Sequence, residues 1–200
     1  MPTLTGPTTL YTLAETAINV LVNGAAYTTP ANAIRADIEL FVALVNTATP
    51  LSPPNSITIQ GCDDATADEK WVDLASFSTG TTTALTTTLS TTIAAGGTPT
   101  ATLAGSGTFG ARTTLVYLRD SNVLGEWVRA QSHTGTTLTV PSPGIMLAHT
   151  SGINLYDQAQ RFYCSLDISC IKRLRVTVDN NVAATGPTLA VAAIVNTYTA

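Results

Sequence analysis

Residues 172–179 read Lys-Arg-Leu-Arg-Val-Thr-Val-Asp, and every second position is apolar. Leu174, Val176 and Val178 line one side, while Arg173, Arg175 and Thr177 line the other. A repeat of two is the side-chain period of a β-strand with one face buried, so this stretch predicts a strand whose basic face is solvated.

The same period recurs on both sides of it. In Glu15–Gly24, Ile18, Val20 and Val22 alternate with Asn19 and Leu21 before the turn dipeptide Asn23-Gly24,. In the stretch from Arg35, Ile38, Leu40, Val42 and Leu44 share one face and Asp37, Glu39, Phe41, Ala43 and Val45 the other. That strand is expected to start half-exposed and end buried on both sides. Pro50, Pro53 and Pro54 cannot donate to a ladder and mark a connection,. Ile57 and Ile59 then point inward, a polar loop follows, and Trp71 opens the next strand as an expected core anchor. The last strand, with Leu189, Val191, Ala193 and Val195 against Ala190, Ala192 and Ile194, is apolar on both faces and is expected to be central or pressed against another chain.

No window of a dozen residues carries a clean helical stripe. Short strands set off by Gly, Pro, Asn and Asp predict an all-β fold, an antiparallel β-sandwich of jelly-roll type. Residues 1–14, rich in Thr and Pro, are expected to form an extended N-terminal arm that adds to a neighbouring chain. Residues 15–200 are expected to form one domain, with a Thr/Ser/Gly/Ala-rich excursion at 78–110 in which Leu85, Leu89 and Ile93 are spaced by four.

The composition bounds the function. Apolar residues make up 44% and charged residues only 11%, against about 25% charged in average soluble domains. Roughly 37 positions are threonine, and Lys70 and Lys172 are the only lysines. Threonine keeps a strand face wet without charge, and scarce lysine fits surfaces buried against partners. A formal charge of −4 and a pI near 4.9 argue against nucleic-acid binding, which needs a basic face,. The N-terminus has no cationic region followed by an apolar run, so no secretory signal is expected, and no stretch is apolar enough for a membrane-spanning helix. Cys62, Cys164 and Cys170 are too few for a disulfide framework. Pairing of Cys164 with Cys170 stays open.

Candidate chemistry is sparse. The loop holding Asp63, Asp64, Asp68, Glu69 and Asp73 has the oxygen donors that calcium takes, and Asp63, Asp64 and Asp68 are its candidate ligands. It lacks the calcium-loop spacing, and Lys70 sits among the acids, so a solvated hairpin loop is the main expectation. His133 and His149 lie near no cysteine and near no second histidine in sequence. Gly105-Ser106-Gly107 is too short for a nucleophile elbow, and no phosphate-binding glycine motif occurs. No catalytic residue, cofactor or metal is therefore expected, and the chain reads as a non-enzyme. Trp71, Trp127 and Tyr117 leave sugar binding as a reading from another class.

Two stretches, ITIQGCDDATADEKWVDLASF (57–77) and KRLRVTVDNNVAATGPTLAVAAIV (172–195), resemble the β-sandwich proteins of tailed-bacteriophage virions, particularly the decoration or cement proteins of the head. The likeness covers residues 34–77 and 160–196 and consists of a strand, an Asp-rich loop, a Trp-bearing strand and a late Arg-bearing strand. It implies a virion structural protein made in the host cytoplasm. Its partners would be copies of itself, with a trimer as first expectation, and the major capsid protein. Tail, neck or baseplate components are the alternative, and a carbohydrate-binding adhesion module is the third.

Overall fold

A computed structural model describes residues 2–16, 20–45, 56–66, 70–78, 86–105, 115–119, 125–157, 159–180 and 188–200. Its strands are β1 (Thr3–Thr16), β2 (Val20–Asn23), β3 (Tyr27–Thr28), β4 (Ala33–Val45), β5 (Ser56–Cys62), β6 (Val72–Ser78), β7 (Thr86–Thr88) and β8 (Thr100–Thr102). They continue as β9 (Leu115–Leu118), β10 (Glu126–Arg129), β11 (Ser132–Thr134), β12 (Thr137–Thr139), β13 (Asn154–Tyr156), β14 (Gln160–Asp167), β15 (Arg173–Asn180) and β16 (Thr188–Thr199). Among the described residues there is no helix, and hence none long and apolar enough to cross a membrane. By internal packing the chain divides into two compact units: residues 1–42, 48–81 and 161–200, and residues 43–47 with 82–160.

In the first unit the alternating sequences build two sheets, ordered β1-β16-β4-β14 and β2-β15-β5-β6, with the short β3 also on β15. The pairings are nested. Counting the eight longer strands in chain order, the first pairs with the last (β1–β16), the second with the seventh (β2–β15), the third with the sixth (β4–β14) and the fourth with the fifth (β5–β6). The inward rows are fully buried: Ile38 and Leu40 of β4, Ile57 and Ile59 of β5, Leu174, Val176 and Val178 of β15, and Val191, Ala193 and Val195 of β16. Each such Ile, Leu or Val contributes about 1.5–3 kcal/mol by leaving water. The two sheets meet through these rows, with β15 against β1 and β16. At the other end Phe77 of β6 packs on Phe162 of β14, ring centroids 5.2 Å apart.

Residues 3–16, most of them in the segment expected as an arm, are paired within the chain. They form an edge strand of the chain's own sheet, antiparallel to β16 from Thr3↔Thr199 to Thr16↔Leu189 with three register shifts. The segment is too polar to make a core by itself, but β16 offers it a continuous backbone partner, and Leu10 is buried.

The second unit is built from the chain between β6 and β14. Its sheets are ordered β10-β9-β13-β7 and β11-β12-β8, and the bridges Leu89↔Leu103, Ile93↔His149 and Thr98↔Ile145 tie the Thr-rich segment in. Its core gathers Leu89, Ile93, Leu103, Val116, Leu118, Leu138, Ile145 and Leu155. The part of the low-complexity stretch that is described, 86–105, therefore supplies core residues; Leu85 lies outside the described residues. Tyr117 is buried beneath Trp127, centroids 4.4 Å apart. Gly125 makes room for that ring, since a Cβ there would stand 2.2 Å from Tyr117 Cε2.

Candidate functional site

The outward face of the first sheet carries a cluster of charged and aromatic groups. On β4 the side chains of Arg35, Asp37, Glu39 and Phe41 share that face because they are two residues apart. Arg35 Nε and Nη2 donate to the two carboxylate oxygens of Asp37, both at 2.8 Å. Asp37 also accepts from the hydroxyls of Ser165 on β14 and Tyr198 on β16. Burial raises its carboxyl, but the donors from Arg35, Ser165 and Tyr198 outweigh this and hold it below the ordinary carboxylate range,. The Arg35 guanidinium lies 5.0 Å from the Tyr198 ring centroid. Arg161 of β14 pairs with Glu39 and sits 6.0 Å over Phe41. Both arginines thus have a carboxylate partner within the chain, and Asp167 at the end of β14 adds a third carboxylate to the same row,. Tyr163 is 59% exposed on it, and Leu4, opposite Tyr198, is 55% exposed.

The outward face of the second sheet is a hydrogen-bonded network. Arg175 Nε donates to Gln60 Oε1 at 2.8 Å, and Gln60 Nε2 donates to Asp73 Oδ1 at 2.8 Å. Thr177 donates its hydroxyl between Gln60 and Asn23. Trp71 is half-buried here rather than anchoring the core: the guanidiniums of Arg175 and Arg173 lie 4.2 and 5.1 Å from its ring centroid. Arg173, expected on a solvated face, is only 7% exposed, because the loop after β5 folds over it and Asp64 O accepts from its Nε at 2.8 Å.

Of the acidic candidates, Asp63 is exposed and Asp64 is half-buried. Asp64 Oδ1 accepts from Thr66 N at 2.8 Å, which closes a local turn,. Asp68 lies outside the described residues. Among the described residues no three His, Cys, Asp or Glu side chains converge as a metal site. Cys62, Cys164 and Cys170 are buried, half-buried and exposed in turn and form no disulfide, and burial pushes the Cys164 thiol up to about 11.

In the second unit His149, 2% exposed, meets Glu126 with Nε2 to Oε2 at 3.0 Å. The same carboxylate accepts the main-chain N–H of Met146 at 2.7 Å and of Leu147 at 3.0 Å. It thereby fixes a turn that presents Met146 and Leu147 to solvent, 48% and 45% exposed. The sequence gives no sign of this pairing, since Glu126 and His149 are 23 positions apart. By contrast, the Arg35-x-Asp37 spacing is readable once a strand is assigned there. No family model matches the chain, and the curated proteins and solved structures compared with it give no significant match.

Proposed function

We propose that this chain is a non-enzymatic structural protein of a virus particle, a decoration or cement subunit on the head of a tailed bacteriophage. The observation that carries the reading is the nested strand order of the first unit, first with last through fourth with fifth. A long antiparallel ribbon rolled up so that it closes on itself is a jelly-roll sandwich, and that architecture serves capsid subunits and lectins. Its role as a general scaffold makes fold alone an analogy, so the surfaces must choose between those uses.

They favour assembly. Trp71 is covered by two guanidiniums and Trp127 packs on Tyr117, so these indoles do not offer the open platform that a sugar ring stacks on. The face of the first sheet that carries Arg35, Arg161, Tyr163 and Tyr198 has the composition of energetic interface centres,. With few charges to keep copies apart, a homo-oligomer bound to the major capsid protein is the partner set we infer. The test is density-gradient fractionation of a lysate that produces the chain. It is expected to band with particles and to stay with them through high salt. A chain found only at the top of the gradient, as free protein, would overturn the reading.

A further inference from the structure

We propose that β14 is a two-fold self-association edge, along which the β14 strands of two copies pair antiparallel about Cys164. This rests on the assembly reading for its purpose, while its geometry is read from the strand itself. β14 ends its sheet. Its eight residues alternate half-buried and exposed without a break, and its sequence QRFYCSLD contains no Pro or Lys, the residues that usually blunt an edge,.

Which main-chain groups face outward follows from the pairing with β4. Ile168 N donates to Ile34 O at 3.1 Å, Ser165 bonds Asp37, and Arg161 lies over Phe41. All three contacts fit one unbroken antiparallel register, in which even-numbered residues of β14 turn their N–H and C=O toward β4. Arg161, Tyr163, Ser165 and Asp167 then turn theirs to the open side. The inward row Phe162, Cys164 and Leu166 is only half-buried, whereas Ala36, Ile38 and Leu40 of neighbouring β4 are fully buried. A strand added at this edge would cover what is left exposed.

The strand fits a reversed copy of itself. Centred on Cys164, antiparallel pairing sets Arg161 opposite the second copy's Asp167, Phe162 opposite Leu166 and Tyr163 opposite Ser165. The Arg161–Asp167 pairing then occurs twice, with Arg161 bridging its own Glu39 and the second copy's Asp167 and Asp167 offering Oδ2 while Oδ1 holds Ser169; the four outward-turned residues are the ones that the two-fold makes hydrogen-bonded partners. A slip of two residues loses the Arg–Asp pairing, and a slip of one puts the apolar row on the polar face. A contact of this symmetry closes a dimer; a trimer would need a different surface.

The test uses the full chain with Cys170→Ser, leaving buried Cys62 in place. Antiparallel partners without mutual hydrogen bonds have Cα atoms about 4.5 Å apart, close enough for a disulfide. Oxidation by copper phenanthroline at pH 9, in which the two Cys164 thiols give up two protons and two electrons to the oxidant, is expected to yield a covalent dimer. Sedimentation of the reduced chain is expected to show the same dimer. Arg161→Asp alone and Asp167→Arg alone each place like charges opposite each other, and each is expected to lower cross-linking by roughly tenfold or more. The double variant restores opposite charges and the dimer. A monomer at all concentrations, or cross-linking indifferent to both single reversals, would overturn the proposal. If such a monomer still bands with particles, the β14 contact fails and the virion reading survives.

Discussion

Arg35 and Asp37, two residues apart on β4, join through both guanidinium nitrogens and both carboxylate oxygens at 2.8 Å, and the pair is held between Tyr198 on one neighbouring strand and Ser165 on the other. This is what orders the outward face of the first sheet. Asp37→Asn is expected to cost about 1 kcal/mol, the low end for a disrupted charged hydrogen bond because solvent reaches Arg35. The folded carboxyl lies below its ordinary value, so its contribution is fully present above the ordinary value and is lost as the pH falls from there through the lowered, folded one,. Urea midpoints measured between pH 3 and 6 should therefore fall toward acid in the native chain and less steeply in Asp37→Asn.

Glu126 makes the same argument in the second unit with higher stakes. Burial raises its carboxyl, but His149 and the amides of Met146 and Leu147 prevail and lower it. Glu126→Gln replaces one acceptor oxygen by a donor and leaves a main-chain N–H without its partner. A loss of about 1–3 kcal/mol is expected, together with faster amide exchange at Met146 and Leu147. Unchanged exchange at both amides would mean that the turn holds itself.

Deleting residues 2–12 is expected to destabilise the first unit and to promote aggregation. Without residues 3–12 of β1, the backbone edge of β16 is bared from Ala192 to Thr199 and the core loses Leu10,. A stable, soluble truncated chain with an unchanged melting temperature would show that the segment is a dispensable arm after all.

The acidic loop is expected to be indifferent to calcium. Replacing Asp63, Asp64 and Asp68 by Asn together should shift the melting temperature only slightly, because an Asn at 64 keeps the oxygen that accepts from Thr66. A loss of several degrees, copied in the native chain by a chelator and reversed by calcium, would mark a metal site.

Much of the first unit is legible in the sequence, since period-two alternation in residues 35–42 and 172–179 gives both the strands and their buried rows. The N-terminal strand was not, because its threonines and prolines carry no alternation and its place depends on β16, far away in the chain. The second unit hides for a related reason. Its core residues Leu89, Ile93 and Leu103 are isolated among Thr, Ala and Gly, and only their non-local bridges gather them. Burial of Arg173 and His149 depends likewise on groups far off in sequence: for Arg173 the carbonyl of Asp64, for His149 the carboxylate of Glu126.

The measurement that bears most directly on the function is immunogold electron microscopy of purified particles, using an antibody raised against the folded chain. Gold is expected over the head surface, in many copies per particle. Label confined to tails would move the chain to the neck or baseplate, and unlabelled particles in a culture rich in the free protein would contradict a structural role in the virion.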